Sequence, residues 1–189
     1  MWYLIEMVRS RIKKRRMKKR SKTRRIRRQR GGNVTDIAAN TGAPPFPGQT
    51  NVKLDVRFLP NSVFSATEFG NTLTKMNSSS MPKVEWVPPS AGTLYTFLCW
   101  DPDAEHGGWL HWLVINCQGK DPTTGETIVK WQKPSPPTGE HRYIFIVFQQ
   151  ANKITMEPND NRAFFKIAEF TQAHSLTPVS HYKGIRVKS

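Results

Sequence analysis

Asp101, Asp103, His111 and His141 stand where apolar runs give way to turn residues. Two imidazoles at strand ends can donate hydrogen bonds to a phosphate-type oxyanion, more strongly when protonated. Carboxylates repel a bare anion. Beside imidazoles, Asp101 and Asp103 are suited to fixing a tautomer or to accepting the ammonium of a zwitterionic head group. The same four groups suggest metal-assisted hydrolysis, but no His-x-x-x-His or similar spacing supports a metal site. A Gly-x-Ser-x-Gly elbow and a phosphate-cradling loop are also absent. Each group has a plainer reading, with His111 as a hydrogen-bonded core residue and the aspartates as turn formers.

The elements that must position them are mostly strands. Leu94–Trp100 is an apolar run ending in Asp101-Pro102-Asp103. Gly107-Gly108 lets the chain reverse before a second run from Trp109 to Asn116. Strict alternation would put His111, Leu113 and Ile115 on one face and Leu110, Trp112 and Val114 on the other. Upstream, Val52–Phe58 alternates as a half-exposed strand, 70–80 reads as a loop, and Lys83–Val87 is a short strand before Pro88-Pro89. Downstream come a strand over Ile128–Trp131, a Pro/Gly loop over Lys133–Glu140 and a fully buried strand over Tyr143–Phe148. The periodicity predicts one helix, Arg162–His174, capped by Asn161 or Asp160, with Phe164, Ile167, Ala168 and Thr171 on one face. Val179–Val187 offers a last strand. The expected class is mostly β, with a central antiparallel sheet and a late peripheral helix.

Charge divides the 189-residue chain unevenly. Residues 1–30 hold fifteen Lys/Arg against one acid, and the remainder holds fourteen against thirteen. The expected organisation is a disordered basic tail over 1–30, a Gly/Pro linker over 31–51 and a folded domain over 52–189. Lys13, Lys14, Arg15, Arg16, Lys18, Lys19, Arg20, Arg24, Arg25, Arg27 and Arg28 suit a polyanion, either nucleic acid or an anionic membrane. A nuclear or nucleolar address and an organellar transit peptide are the alternatives. Trp2–Val8 is too short to span a bilayer, and its charges follow the apolar run where a secretory signal has them first. Cys99 and Cys117 fit buried thiols better than a disulfide framework. An intracellular location, cytoplasmic or nuclear, is expected.

Two blocks then carry a likeness. Asp-Pro-Asp-Ala followed by Trp-x-His-Trp-Leu-Val, and later Pro-Pro-x-Gly-x-His-Arg-Tyr, resemble the phosphatidylethanolamine-binding protein family of kinase-inhibitor proteins and flowering regulators. The likeness covers roughly residues 50–187 and leaves out the tail. It implies a small anion pocket lined by Asp101, Asp103, Trp109, His111, Pro137, His141 and Tyr143, with Tyr182 as the C-terminal aromatic. It departs from the family pattern at Glu105, Gly108 and Ser135, where Pro, a polar residue (often Glu) and Gly are common. Arg142, on the opposite face from His141 and Tyr143, is expected to be structural, paired with one of the aspartates. His106, His174 and His181 receive no role, and Trp100, Trp112 and Trp131 are read as packing.

The expected function is a non-catalytic module that binds phosphate or a phospholipid head group. It would act as a regulator or adaptor of a kinase or protease without a cofactor. The alternative is a structural component of a nucleoprotein particle, ribosome-associated or packaged in a virion, that uses the fold for docking.

Overall fold

Phe97 and Cys99 face one hydrophobic cluster while Leu98 and Trp100 face another, so the strand that carries them is buried on both sides. Tyr143, Phe145 and Val147 alternate in the same way with Ile144, Ile146 and Phe148. Continuous apolar runs are what a strand needs when both its faces are covered. The computed structural model describes residues 43–44, 52–58, 64–67, 70–87, 91–105 and 107–189. The chain divides into two units, Met1–Gly32 and Asn33–Ser189, and every described residue belongs to the second. The basic tail lies outside the described residues.

The strands are β1 (Leu54–Phe58), β2 (Phe64–Ser65), β3 (Asn71–Leu73), β4 (Lys83–Trp86), β5 (Tyr95–Asp101), β6 (Trp109–Cys117), β7 (Glu126–Val129), β8 (Glu140–Gln150), β9 (Leu176–Pro178) and β10 (Lys183–Lys188). A short 3-10 turn covers Pro122–Thr124, and one α-helix, α1, covers Ile167–Ala173. A small sheet runs β2-β1-β4 and a large one β3-β10-β8-β5-β6-β7, with β9 paired to the far half of β8. Both sheets are open. All pairings in the large sheet are antiparallel except β3 with β10. One cluster fills the space between the sheets, and α1 covers the other through Ile167. The fold is therefore mostly β with a short peripheral helix, as the sequence suggests.

Three details differ from the sequence expectations. Within 70–80 lies β3, short and mainly exposed, held by its parallel register with Ile185, Arg186 and Val187. The last strand, expected over Val179–Val187, starts later, as β10, and an additional short strand, β9, precedes it. The helix starts five residues late. Leu110 N–H donates to the Arg162 carbonyl (2.8 Å), and Phe165 N–H donates to the Gly108 carbonyl (3.2 Å), so 162–165 is held alongside the start of β6. Lys166, in extended conformation, takes the N-cap position that had been given to Asn161 or Asp160. The apolar spacing of 162–174 is helical, but long-range backbone bonding overrides it at the N-terminal end.

Cys99 and Cys117 are buried free thiols, and burial pushes Cys117 up to about 12. Of the stretch 31–51, Ala43 and Pro44 are described. Ala43 is buried in the second cluster, and the Pro44 carbonyl accepts from the Tyr182 hydroxyl at 2.8 Å. Among the described residues, no helix is long and apolar enough to cross a membrane.

Asn116 closes the other end of the sheet. Its backbone is in the left-handed region (φ 56°). Its side-chain Oδ1 accepts from Gln150 Nε2 and Ile154 N, and its Nδ2 donates to the Ile154 carbonyl, all at 2.8–2.9 Å. Asn116→Ala strands these buried partners and places a Cβ residue less suited to positive φ there. The expected loss is about 3 kcal/mol or more, measured by urea unfolding. A loss below about 1 kcal/mol would mean that water replaces the amide without cost.

Candidate functional site

β5 ends, and β6 and β8 begin, at the same end of the large sheet, because both β6 and β8 run antiparallel to β5. Asp101, Trp109, His111, His141 and Tyr143 are thereby brought together from 43 residues of chain. They line a cavity of about 310 Å³ with Pro137, Ala104, Glu105, Gln132, Lys133, Ser135 and Pro136.

His111 reaches this cavity through a break in β6. Trp100 is opposite Leu110 and Cys99 opposite Trp112, which leaves His111 as an extra residue in a β-bulge. Leu110 consequently joins Leu113 and Ile115 in one cluster, while Trp112 and Val114 lie in the other. This corrects the face assignment from strict alternation. The His111 ring meets Tyr143 edge-on, with centroids 4.9 Å apart, and lies 6.5 Å from the Trp131 ring.

The bulge is secured by its neighbours. Gln132 N–H donates to the His111 carbonyl at 2.9 Å, and His111 Nδ1 lies 2.8 Å from the Gln132 carbonyl oxygen. Arg162, in the segment beside β6, donates through Nη1 to the Leu110 and His111 carbonyls and through Nη2 to that of Lys130. Trp109 Nε1 donates to Gln132 Oε1 at 2.9 Å.

His141, on β8, is held through Nδ1 by Asp101 Oδ2 at 2.7 Å, with both side chains largely buried. Asp101 Oδ1 accepts from Asp103 N–H at 2.8 Å, which shapes the turn after β5. The two histidines shift in opposite directions. The Asp101 hydrogen bond raises His141 above its ordinary value, and burial lowers His111 against the pull of the Gln132 carbonyl. His141 therefore keeps its charge to higher pH than His111 does. Burial pushes the Tyr143 phenol up, which keeps it a neutral hydroxyl.

Two expected pocket residues lie elsewhere. Asp103 accepts from Arg142 N (2.9 Å), Nε (2.8 Å) and Nη2 (2.6 Å), so its carboxylate is committed to Arg142 and Asp103 is not among the cavity-lining residues. Arg142 has the structural pairing expected of it. Tyr182 is buried in the second cluster, edge-on to Trp100, with its hydroxyl on Pro44. It points to the wrong side of the sheet for the cavity, which corrects its assignment. Among the described residues, no group of three or more His, Cys, Asp and Glu is placed to hold a metal ion.

Sequence reasoning missed Gln132, Lys133 and Arg162. Gln132 acts largely through its backbone, which leaves no trace in residue type. Gly108 shows the reverse case. At φ 130° it packs so closely that a Cβ would stand 2.4 Å from the Phe165 carbonyl oxygen. The departure from the polar residue common at this position is thus tied to the segment beside β6.

Comparisons with known proteins agree with this geometry. The family model described as phosphatidylethanolamine-binding protein matches residues 54–181. A Drosophila melanogaster protein named "Putative odorant-binding protein A5" is 32% identical over 130 residues, which is 60% of this chain and 61% of that protein. The chain thus spans under two thirds of that relative's length. A crystallised carboxypeptidase Y inhibitor, complexed with its cognate proteinase, shares the fold at TM-score 0.66 and 17% identity, over 82% of this chain and 95% of that one. The phosphatidylethanolamine-binding protein from Plasmodium vivax does so at TM-score 0.63 and 18% identity, over 83% and 97%.

The opposite histidine shifts have a visible consequence. A raised folded value means that the His141–Asp101 pair contributes stability fully below about pH 6.5 and loses it as pH rises through the folded value. NMR titration of the ring protons should give a midpoint above 6.5 for His141 and below it for His111. Asp101→Asn should bring His141 back toward 6.5 and flatten the alkaline fall in unfolding free energy. A His141 midpoint unmoved by Asp101→Asn would break the assignment.

Proposed function

The chain belongs to the phosphatidylethanolamine-binding protein family, and from that premise we propose that its cavity binds a phosphate-bearing small ligand or phospholipid head group without transforming it. The observation that carries this reading is the convergence of His111 and His141 on one cavity, with the Asp101 hydrogen bond favouring the charged form of His141. The imidazolium supplies a charge-assisted donor to a phosphate oxygen, and the Tyr143 hydroxyl is a neutral donor on the same wall. Asp101 and Glu105 keep the surroundings from being uniformly cationic, which favours a ligand carrying an ammonium over a bare polyanion.

Such a module works as a regulator or adaptor, and the partner we propose is a kinase or a protease. Support for the protease is limited to fold: a similar fold belongs to an inhibitor crystallised with its proteinase. Small-ligand carriage is in keeping with the name of the Drosophila relative. For the basic run 9–30 the proposal rests on composition, namely salt-sensitive contact with nucleic acid or an anionic membrane.

Titration calorimetry with O-phosphoethanolamine is expected to show binding that strengthens as pH falls through the raised His141 midpoint, with about tenfold loss in His141→Ala. A smaller loss is expected for His111→Ala, and 31P spectra of the mixture should stay unchanged over hours. Equal affinity in wild type and both variants would remove the pocket reading. Deleting residues 1–30 should abolish salt-sensitive retention on heparin or nucleic acid while leaving the circular dichroism of the domain intact. Retention that survives the deletion would show that another surface carries the interaction.

A further inference from the structure

The two histidines present different faces to a ligand. A carbonyl oxygen only accepts, so the 2.8 Å contact with Gln132 places a proton on His111 Nδ1 and leaves Nε2 of the neutral ring with a lone pair. His141 donates through Nδ1 to Asp101, so when the ring is protonated its second proton stands on Nε2 as a donor. The titratable and charged groups around His111 are Asp101 at the end of β5, Glu105 and Lys133 on the same cavity wall, His141 and Tyr143 on β8, and Arg162 beside β6. Burial and the Arg162 guanidinium both oppose a second proton on His111. Only 5% of the residue is exposed, so water cannot readily satisfy an acceptor left unpaired by a bound ligand.

An oxyanion in this cavity therefore meets an acceptor at His111 and, while His141 is protonated, a donor at His141. We propose that the cavity selects a phosphate that still carries a hydroxyl, either inorganic hydrogen phosphate or a small phosphomonoester, and that His111 Nε2 is the acceptor that reads this hydroxyl. The inference rests on the anion-binding reading above and adds the protonation state of the ligand. A volume of about 310 Å³ is at the small end for ligand cavities, so any organic group on the phosphate is short. Phosphomonoesters lose their last proton near about pH 6, so above that pH binding takes up a proton.

Sulfate provides the test, since it has similar size and charge but no hydroxyl near neutrality. It sets oxygen lone pairs against the Nε2 lone pair, which should weaken it about tenfold or more relative to phosphate. The full chain is titrated with sodium phosphate and sodium sulfate at matched ionic strength, and the His111 and His141 ring signals are followed by NMR. Residues 1–30 contain no histidine, so binding to the basic run does not enter this readout. At about pH 7.5, phosphate should half-saturate the shifts at a concentration at least about tenfold lower. Below the His111 midpoint the ring becomes a donor, and the gap should close. His111→Asn, whose amide can turn a donor toward sulfate, should erase the gap at all pH values, and the wild-type pH series stands alone if that variant does not fold. Equal affinities near pH 7.5, or a gap that persists below the His111 midpoint, would overturn the hydroxyl reading and leave anion binding intact. Absence of any shift with either anion would overturn both.

Discussion

The extra residue in β6 is the constraint on which the cavity depends. With strict alternation, the side chain at position 111 would share the face of Leu113 and Ile115 and be buried beneath α1. The bulge turns it toward Tyr143, and the ladder resumes at Trp112 with the opposite phase. A bulge left to itself exposes carbonyls that the ladder no longer uses. Here Arg162 and the Gln132 amide take them up, so the irregularity is enforced from two other parts of the chain.

The same economy governs the acidic side of the site. Asp101 and Asp103 are two residues apart but do different work. Asp101 orients His141 and shapes its own turn. Asp103 accepts three donors from Arg142 and so joins the β5–β6 turn to the start of β8. A partly exposed ion pair of this kind contributes little by charge alone. Its bidentate geometry, reinforced by the backbone bond, fixes where the turn lies.

The two sequence blocks were legible because short-range pattern is enough for them. Proline and aspartate end β5, glycines reverse the chain, and alternation puts His141 and Tyr143 on one side with Arg142 on the other. The strand order of the sheet was not legible, since pairing between distant strands has no local signature. Nor was the bulge, whose cause lies in Arg162 and Gln132. The helix began late for a similar reason: propensity over 162–166 was sound, but the backbone there bonds to Gly108 and Leu110. Tyr182 was misplaced because its position near the chain's end says nothing about which side of the sheet it faces.

The register of β10 bears on how the domain comes to exist. β10 lies between β3 and the first half of β8, and its partners lie more than a hundred and about forty residues upstream. During synthesis the edge of β8 that carries His141 waits open until residues 183–188 have left the ribosome. A buried hydrophobic strand with an unpaired edge is the form of nascent chain that most invites mispairing. The first half of β8 thus gains its second neighbour late, and the cavity wall that carries His141 cannot mature much before β10.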